Sequence, residues 1–197
     1  MASTNSTHRQ IQRIVTIACL SALAFILMLF EFPVIPVVSY LKIDLSDIPV
    51  LIGTFIYGPA SGILIALLKC LLHGMVRGFS VGELIGLLAD LVSSISLLLP
   101  FAWAWKHRQW TRRKQLVVGS VAATITLTIL MSLLNLFVLT PLYMKLWHWQ
   151  STLPIPKLIA FGVVPFNLIK GVLISALVSL IVVRLWDWLR RQQSGRQ

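Results

Sequence analysis

The chain has 197 residues, 57% of them hydrophobic and 12% charged, with a formal net charge of +11. That balance excludes a soluble globular domain and defines an integral membrane protein. The long runs rich in leucine, isoleucine and valine also exclude the short alternating segments of a membrane β-barrel, so the expected fold is an all-α bundle forming one membrane domain over residues 1–197.

In chain order, residues 1–13 read as a polar tail and 14–30 as a first span. This span ends in Glu31, Phe32 and Pro33 without a small-residue cleavage site, so it reads as a transmembrane helix and not as a cleaved signal peptide. The loop from Phe32 to Asp47 carries Pro33 and Pro36 and then VVSYLKIDLSD, whose β-branched and aromatic residues suit a short strand or a lid. Asp47, just before Ile48 and Pro49, is most simply an N-cap. Residues 48–57 form a short apolar run that stops at Gly58 and Pro59, and 60–76 follows almost without a loop, which predicts a tight helical hairpin. Further spans are expected at 81–105, 116–139 and 158–186, and 187–197 is a second tail.

Six spans put both termini on one side of the membrane. Arg9, Arg13, Lys106, Arg108, Arg112, Arg113, Lys114, Arg184, Arg190, Arg191 and Arg196 then share that side, against Lys42, Arg77, Lys145 and Lys157 on the other. The positive-inside rule makes the termini and the KHRQWTRRK loop cytoplasmic in a multi-pass protein of the cell membrane. The basic excess is therefore topological and does not indicate nucleic acid. Trp103, Trp105, Trp110, Trp186 and Trp188 near one boundary, and Trp147 and Trp149 near the other, form an aromatic belt.

Motifs of catalysis are missing: GxSxG, HExxH and a P-loop are all absent. Cys19 and Cys70 lie within apolar spans and read as small buried hydrophobes, with no disulfide framework. His73 follows Lys69 by one helical turn without a second ligand at metal spacing. An enzyme is not expected, and neither a metal nor a cofactor is implied.

Several polar groups nevertheless stand inside apolar spans. Asn167 and Lys170 in PFNLIKG share a helix face, and burying them in lipid is costly unless they meet partners or line a cavity. Lys170 lies some twelve residues into its span, roughly 15 Å or more of helix rise, which is too deep for easy snorkelling. Asn135 of the fifth span stands at similar depth and is either interhelical glue or part of the same site. Glu83 opens the fourth span, either as a helix-start charge in water or as a ligand contact. Asp90 and Lys69 are expected to pair with each other. Asn135, Asn167 and Lys170 together supply donors and acceptors suited to hydroxyls or a carbonyl.

These residues carry a resemblance. LKIDLSDIPVLIGTFIYGPASGILIALLKCLLHGMVRG at 41–78, GEL at 82–84, the asparagine and TPLY between Asn135 and Tyr143, and PFNLIKG at 165–171 resemble the riboflavin-specific S component of energy-coupling factor (ECF) transporters. The likeness runs in order from about residue 14. It implies a vitamin-binding membrane subunit without an ATPase of its own. Such a subunit captures riboflavin from outside and works with a shared transmembrane coupling subunit and two cytoplasmic ATPases.

It further implies that Asn135, Asn167 and Lys170 bind the ribityl chain and that the Leu41 backbone meets the flavin ring. Glu83 stands where the family has a glutamate opening its fourth helix. Ala18 and Ala22 match the family's small-xxx-small docking pattern for the coupling subunit, although packing within the bundle would use the same residues. Cys70 departs from the polar asparagine expected after Lys69. The pocket groups alone leave flavin mononucleotide and pantothenate open as ligands, and a membrane-embedded enzyme or an assembly partner is the reading of a different class.

Overall fold

The structure is a computed structural model describing residues 2–35, 40–107, 109–147 and 154–184. The expectations for Pro36, Arg108, Trp149, Trp186, Trp188, Arg190, Arg191, Arg196 and the tail at 187–197 lie outside these residues, as do the side chains of residues 2–7 and of Trp147. The elements are α1 (Ala2–Leu29), β1 (Phe32–Pro33), β2 (Lys42–Ile43), α2 (Asp47–Tyr57), α3 (Pro59–Arg77), α4 (Val81–Lys106) and α5 (Arg112–Leu134). A π-helical turn (Asn135–Leu139) runs into α6 (Thr140–Trp147), and α7 (Ile155–Leu158) passes through a second π turn (Ile159–Val163) into α8 (Val164–Arg184).

Two features differ from the sequence reading. Helix α1 begins at Ala2, so most of the expected tail is helical. Among the described residues, five helices are long and apolar enough to cross a membrane, and the sixth apolar helix, α2, has 11 residues. At 1.5 Å per residue α2 rises about 16 Å, roughly half of a hydrocarbon core. The first loop forms a two-stranded antiparallel ribbon, Phe32 opposite Ile43 and Pro33 opposite Lys42.

The hairpin of α2 and α3 follows from its glycines. Gly58, at φ 89°, makes a turn that an L side chain would strain, and Pro59 then starts α3 without needing its missing N–H. The two helices run antiparallel in close contact. A Cβ on Gly53 would run into Ile65, and one on Gly62 would overlap Thr54 Oγ1. Thr54 answers its own polarity by donating to the Val50 carbonyl at 2.9 Å. At this end α1 joins the hairpin through Tyr57 Oη to Thr16 Oγ1 at 3.1 Å and Arg13 Nη2 to Ser61 Oγ at 2.9 Å.

The main apolar core lies in this half of the bundle and extends through its centre, with Leu51, Phe55, Leu97, Leu98, Phe101 and Leu127 buried. A smaller cluster of Leu41, Ile43, Leu158 and Phe166 packs the ribbon against α7 and α8. Between the two, the helix ends part.

Gly62→Ala forces a methyl into Thr54 and should destabilise the bundle by about 1–3 kcal/mol, the usual scale of core overpacking. A thermal unfolding curve of the purified protein would register this as a lowered midpoint, and an unchanged midpoint would contradict the close α2–α3 packing.

Candidate functional site

A cavity of about 470 Å³ opens where α1, α3, α4, α5 and α8 diverge beneath the ribbon. This is within the usual range for small-molecule sites. Leu41, Glu83, Asn167 and Lys170 line it, as do Asp44 and Asp90. Asn135 is fully buried just behind the wall, where Tyr40 Oη donates to its Oδ1 at 3.4 Å and meets Thr140 Oγ1 at 3.2 Å. Burial pushes the Tyr40 phenol above its ordinary pKa, against a smaller opposing effect of the Thr140 hydrogen bond, so it stays a neutral donor at physiological pH.

Both asparagines are oriented by the backbone. Asn135 Nδ2 donates to the Met131 carbonyl and Asn167 Nδ2 to that of Val163, each at 2.8 Å and each one turn back. A π turn, which widens the helix, adjoins each of these bonds, and the Met131 carbonyl also accepts the Asn135 backbone N–H. One begins at Asn135, and the other ends at Val163, four residues before Asn167. One amide N–H of each is thus committed, and their placement does not depend on an occupant.

The charges beneath the cavity form one cluster. Asp47 is fully buried and its carboxylate is turned into the bundle, so it is not the N-cap the sequence suggested. Ser46 occupies the cap position without a side-chain cap bond, and its backbone N–H is held by Asp44 Oδ1 at 2.7 Å. Asp47 Oδ1 accepts from Lys69 Nζ at 3.1 Å and from Ser94 Oγ at 2.5 Å. Its Oδ2 lies 3.2 Å from Lys170 Nζ. This last contact is an ion pair without hydrogen-bond alignment, so Oδ2 has no hydrogen-bond partner.

Lys69 also donates to Ser46 Oγ at 2.6 Å and pairs with Asp90 Oδ2 at 3.0 Å, the partnership the sequence suggested. Cys70 directs its thiol to Asp90 Oδ2 at 3.5 Å, more than an inert hydrophobe would do. Cys19, expected to be buried, is exposed because it lies off the buried face of α1 formed by Ile17, Ser21, Ala24 and Met28.

Glu83 is half-buried and pairs with His73 Nε2 at 3.0 Å, while Ser80 caps α4 by accepting from the Glu83 N–H. At the rim Glu31 bonds both Lys42 and Arg77, tying the ends of α1 and α3 to the ribbon. Tyr40 and Tyr143 stand with ring centroids 5.3 Å apart and both line the cavity. Sequence reasoning gave no role to these two tyrosines or to the Glu83–His73 pair; the sole hint of Tyr143 was its place in the TPLY segment. Ala18 and Ala22 do not line the cavity and are exposed on α1. Among the described residues no cluster of three or more His, Cys, Asp or Glu could hold a metal ion.

A helical membrane bundle with a small-molecule cavity sunk into one end defines a membrane-embedded solute-binding protein. The chain belongs to the family of the substrate-specific components of ECF transporters, whose sequence model matches residues 12–182. It is 40% identical over 184 residues to the riboflavin transporter RibU of Staphylococcus aureus (strain TCH60), covering 93% of this chain and 95% of that one. To the riboflavin transporter FmnP of Bacillus subtilis (strain 168) it is 35% identical over 188 residues, covering 94% and 98%. A solved S component of a bacterial ECF transporter superposes with a TM-score of 0.76 at 39% identity, covering 91% of this chain and 98% of that chain. Members of this family are transporter subunits and not enzymes.

Removing one partner of a buried ion pair leaves the others uncompensated. Lys69→Met should therefore destabilise the protein by about 3–5 kcal/mol, and adding Asp90→Asn should restore part of the loss. Thermal melts of the single and double variants would test this; equal stability of Lys69→Met and the parent would refute the cluster's energetic role.

Proposed function

We propose that this chain is the riboflavin-binding S component of an ECF-type vitamin importer. It captures riboflavin on the extracellular side of the cell membrane and delivers it through a shared transmembrane coupling subunit and two cytoplasmic ATPases. What carries the reading is the cavity lined by Leu41, Glu83, Asn167 and Lys170, with Asn135 directly behind its wall. The relatives named as riboflavin transporters support the same ligand.

The aromatic rings of Tyr40, Tyr143 and Phe166 give the walls an apolar surface for a planar ring, which the Leu41 backbone meets from the first loop. Asn135, Asn167 and Lys170 receive the hydroxylated chain, and Glu83 closes the polar side. Lys42 and Arg77, the cations a phosphate would call upon, share Glu31 at the rim, which favours a neutral ligand over its phosphate ester. The ribbon acts as the lid.

The cavity end faces outward, and both termini and the connection between α4 and α5 are cytoplasmic, a reading that the distribution of basic residues supports. Short α2 completes a six-helix arrangement. The coupling subunit docks on α1 over Ala18 and Ala22, whose small side chains let another helix approach within lipid and whose exposure leaves them unused by this chain's own packing.

Lys170→Ala and Asn167→Ala should each weaken riboflavin binding by at least about 1 kcal/mol, the scale of a lost buried hydrogen bond. Tryptophan-fluorescence quenching measures this, and unchanged affinity in both variants overturns the site. A flavin absorbance spectrum on the purified protein tests the ligand itself. Ala18→Trp or Ala22→Trp should leave riboflavin binding intact and abolish uptake, and assembly of either variant with the coupling subunit would rule out the docking face.

A further inference from the structure

Asp47 belongs to none of the groups given a role above, yet it is the point at which the charges under the cavity converge. It is fully buried and does not line the cavity, and its carboxylate oxygens face Lys69, Ser94 and Lys170. We propose that Asp47 is the positioning residue of the binding site: it holds the Lys170 ammonium at the cavity wall and in a direction that leaves its remaining donors for the ligand. The inference rests on the reading of the cavity as a riboflavin site.

Three observations carry it. Among the described residues, Asp47 is the carboxylate within ion-pair distance of Lys170, at 3.2 Å. Asp90, the other acid of the cluster, is instead engaged by Lys69 at 3.0 Å. Lys170 has a flexible four-carbon stem, and a bare ammonium at this depth would have no fixed direction.

Second, Asp47 is itself fixed from other elements. Lys69 of α3 and Ser94 of α4 both donate to Oδ1, which locks the carboxylate plane and presents Oδ2 to α8. Third, Oδ2 has no hydrogen-bond partner although it is buried and within ionic contact of Lys170. A buried acceptor left open calls for an explanation. One ammonium has three donors, so a small turn about the stem aligns one N–H on Oδ2 and aims the others into the cavity.

A positioning role differs from a structural one in what it spares. Riboflavin carries the hydroxylated chain that Lys170 contacts, whereas lumiflavin has the same ring with a methyl group in place of that chain. Asp47→Asn is nearly isosteric and keeps an acceptor for Ser94, while it removes the charge that anchors Lys170. It should weaken riboflavin binding by about tenfold and leave lumiflavin binding within about twofold, since loss of a charge-assisted bond is on that scale. In the Lys170→Met background the same substitution should cost riboflavin little further affinity, because the group it positions is gone.

Loss of both flavins in equal measure, or additive losses in the double variant, would overturn the proposal and assign Asp47 to packing alone. Should Asp47→Asn fail to fold, Ser94→Ala loosens the same carboxylate, and its combination with Lys170→Met must show the same non-additivity. Parent protein that binds neither flavin would refute the riboflavin reading, an outcome distinct from parent binding with additive variants.

Discussion

The bundle is organised around a buried carboxylate that answers two lysines. Each ion in a low-dielectric interior carries a desolvation penalty of several kcal/mol, and mutual attraction offsets it only where geometry is good and the remaining donors are filled. Lys69 meets that condition through Asp47, Asp90 and Ser46. Because the partners come from α2, α3, α4 and α8, the cluster fixes the relative positions of four helices at one depth. An apolar substitute of the same volume would stabilise the bundle equally well or better. The charges are therefore better explained by the cavity above them than by stability.

The site is also shaped by departures from regular helix. Two π turns flank it, and each asparagine of interest bonds a carbonyl one turn back at or beside such a turn. Regular α-helix in lipid fills every backbone acceptor within the segment. Here the π turns keep their backbone groups bonded over a wider turn, with Asn135, Leu139, Ile159, Gly162 and Val163 buried on the inner side and Phe137 and Phe161 exposed on the outer. The irregularity falls where the binding groups are needed, and the long apolar runs of α5 and α8 beyond these turns are continuous α-helix.

Much of this was legible in the residues. Gly58 and Pro59 gave the hairpin, the leucine-rich runs gave the long helices to within a few residues at most ends, and a lysine twelve residues inside an apolar span pointed to a cavity. The role of Asp47 was not legible, because an acid before a helical run has the same signature whether it caps the helix or turns inward. Only the tertiary placement of Lys69 and Lys170 distinguishes these, and both are far away in sequence. The Glu83–His73 pair was hidden likewise, since its members lie on different helices. Helix α1 overran its expected start because polar residues on an exposed helix carry no hydrophobic periodicity to mark it.

The shortness of α2 connects these features. Its first turn stands against Lys69, eight residues before the end of α3, so α2 begins about 12 Å below the level where α3 ends. The chain from α1 must descend that distance without a helix. Non-helical backbone at membrane depth is tolerated only when protein buries it or it lines a cavity. Residues 40–46 do both: Leu41, Ile43, Asp44 and Ser46 are buried, while Tyr40, Leu41, Lys42 and Asp44 line the cavity. A full-length α2 would fill this volume with its own upper turns and carry Asp47 to the surface, where water would screen it from Lys170. The half-length helix thus creates the cavity, supplies its floor charge, and draws the first loop inward to form its wall.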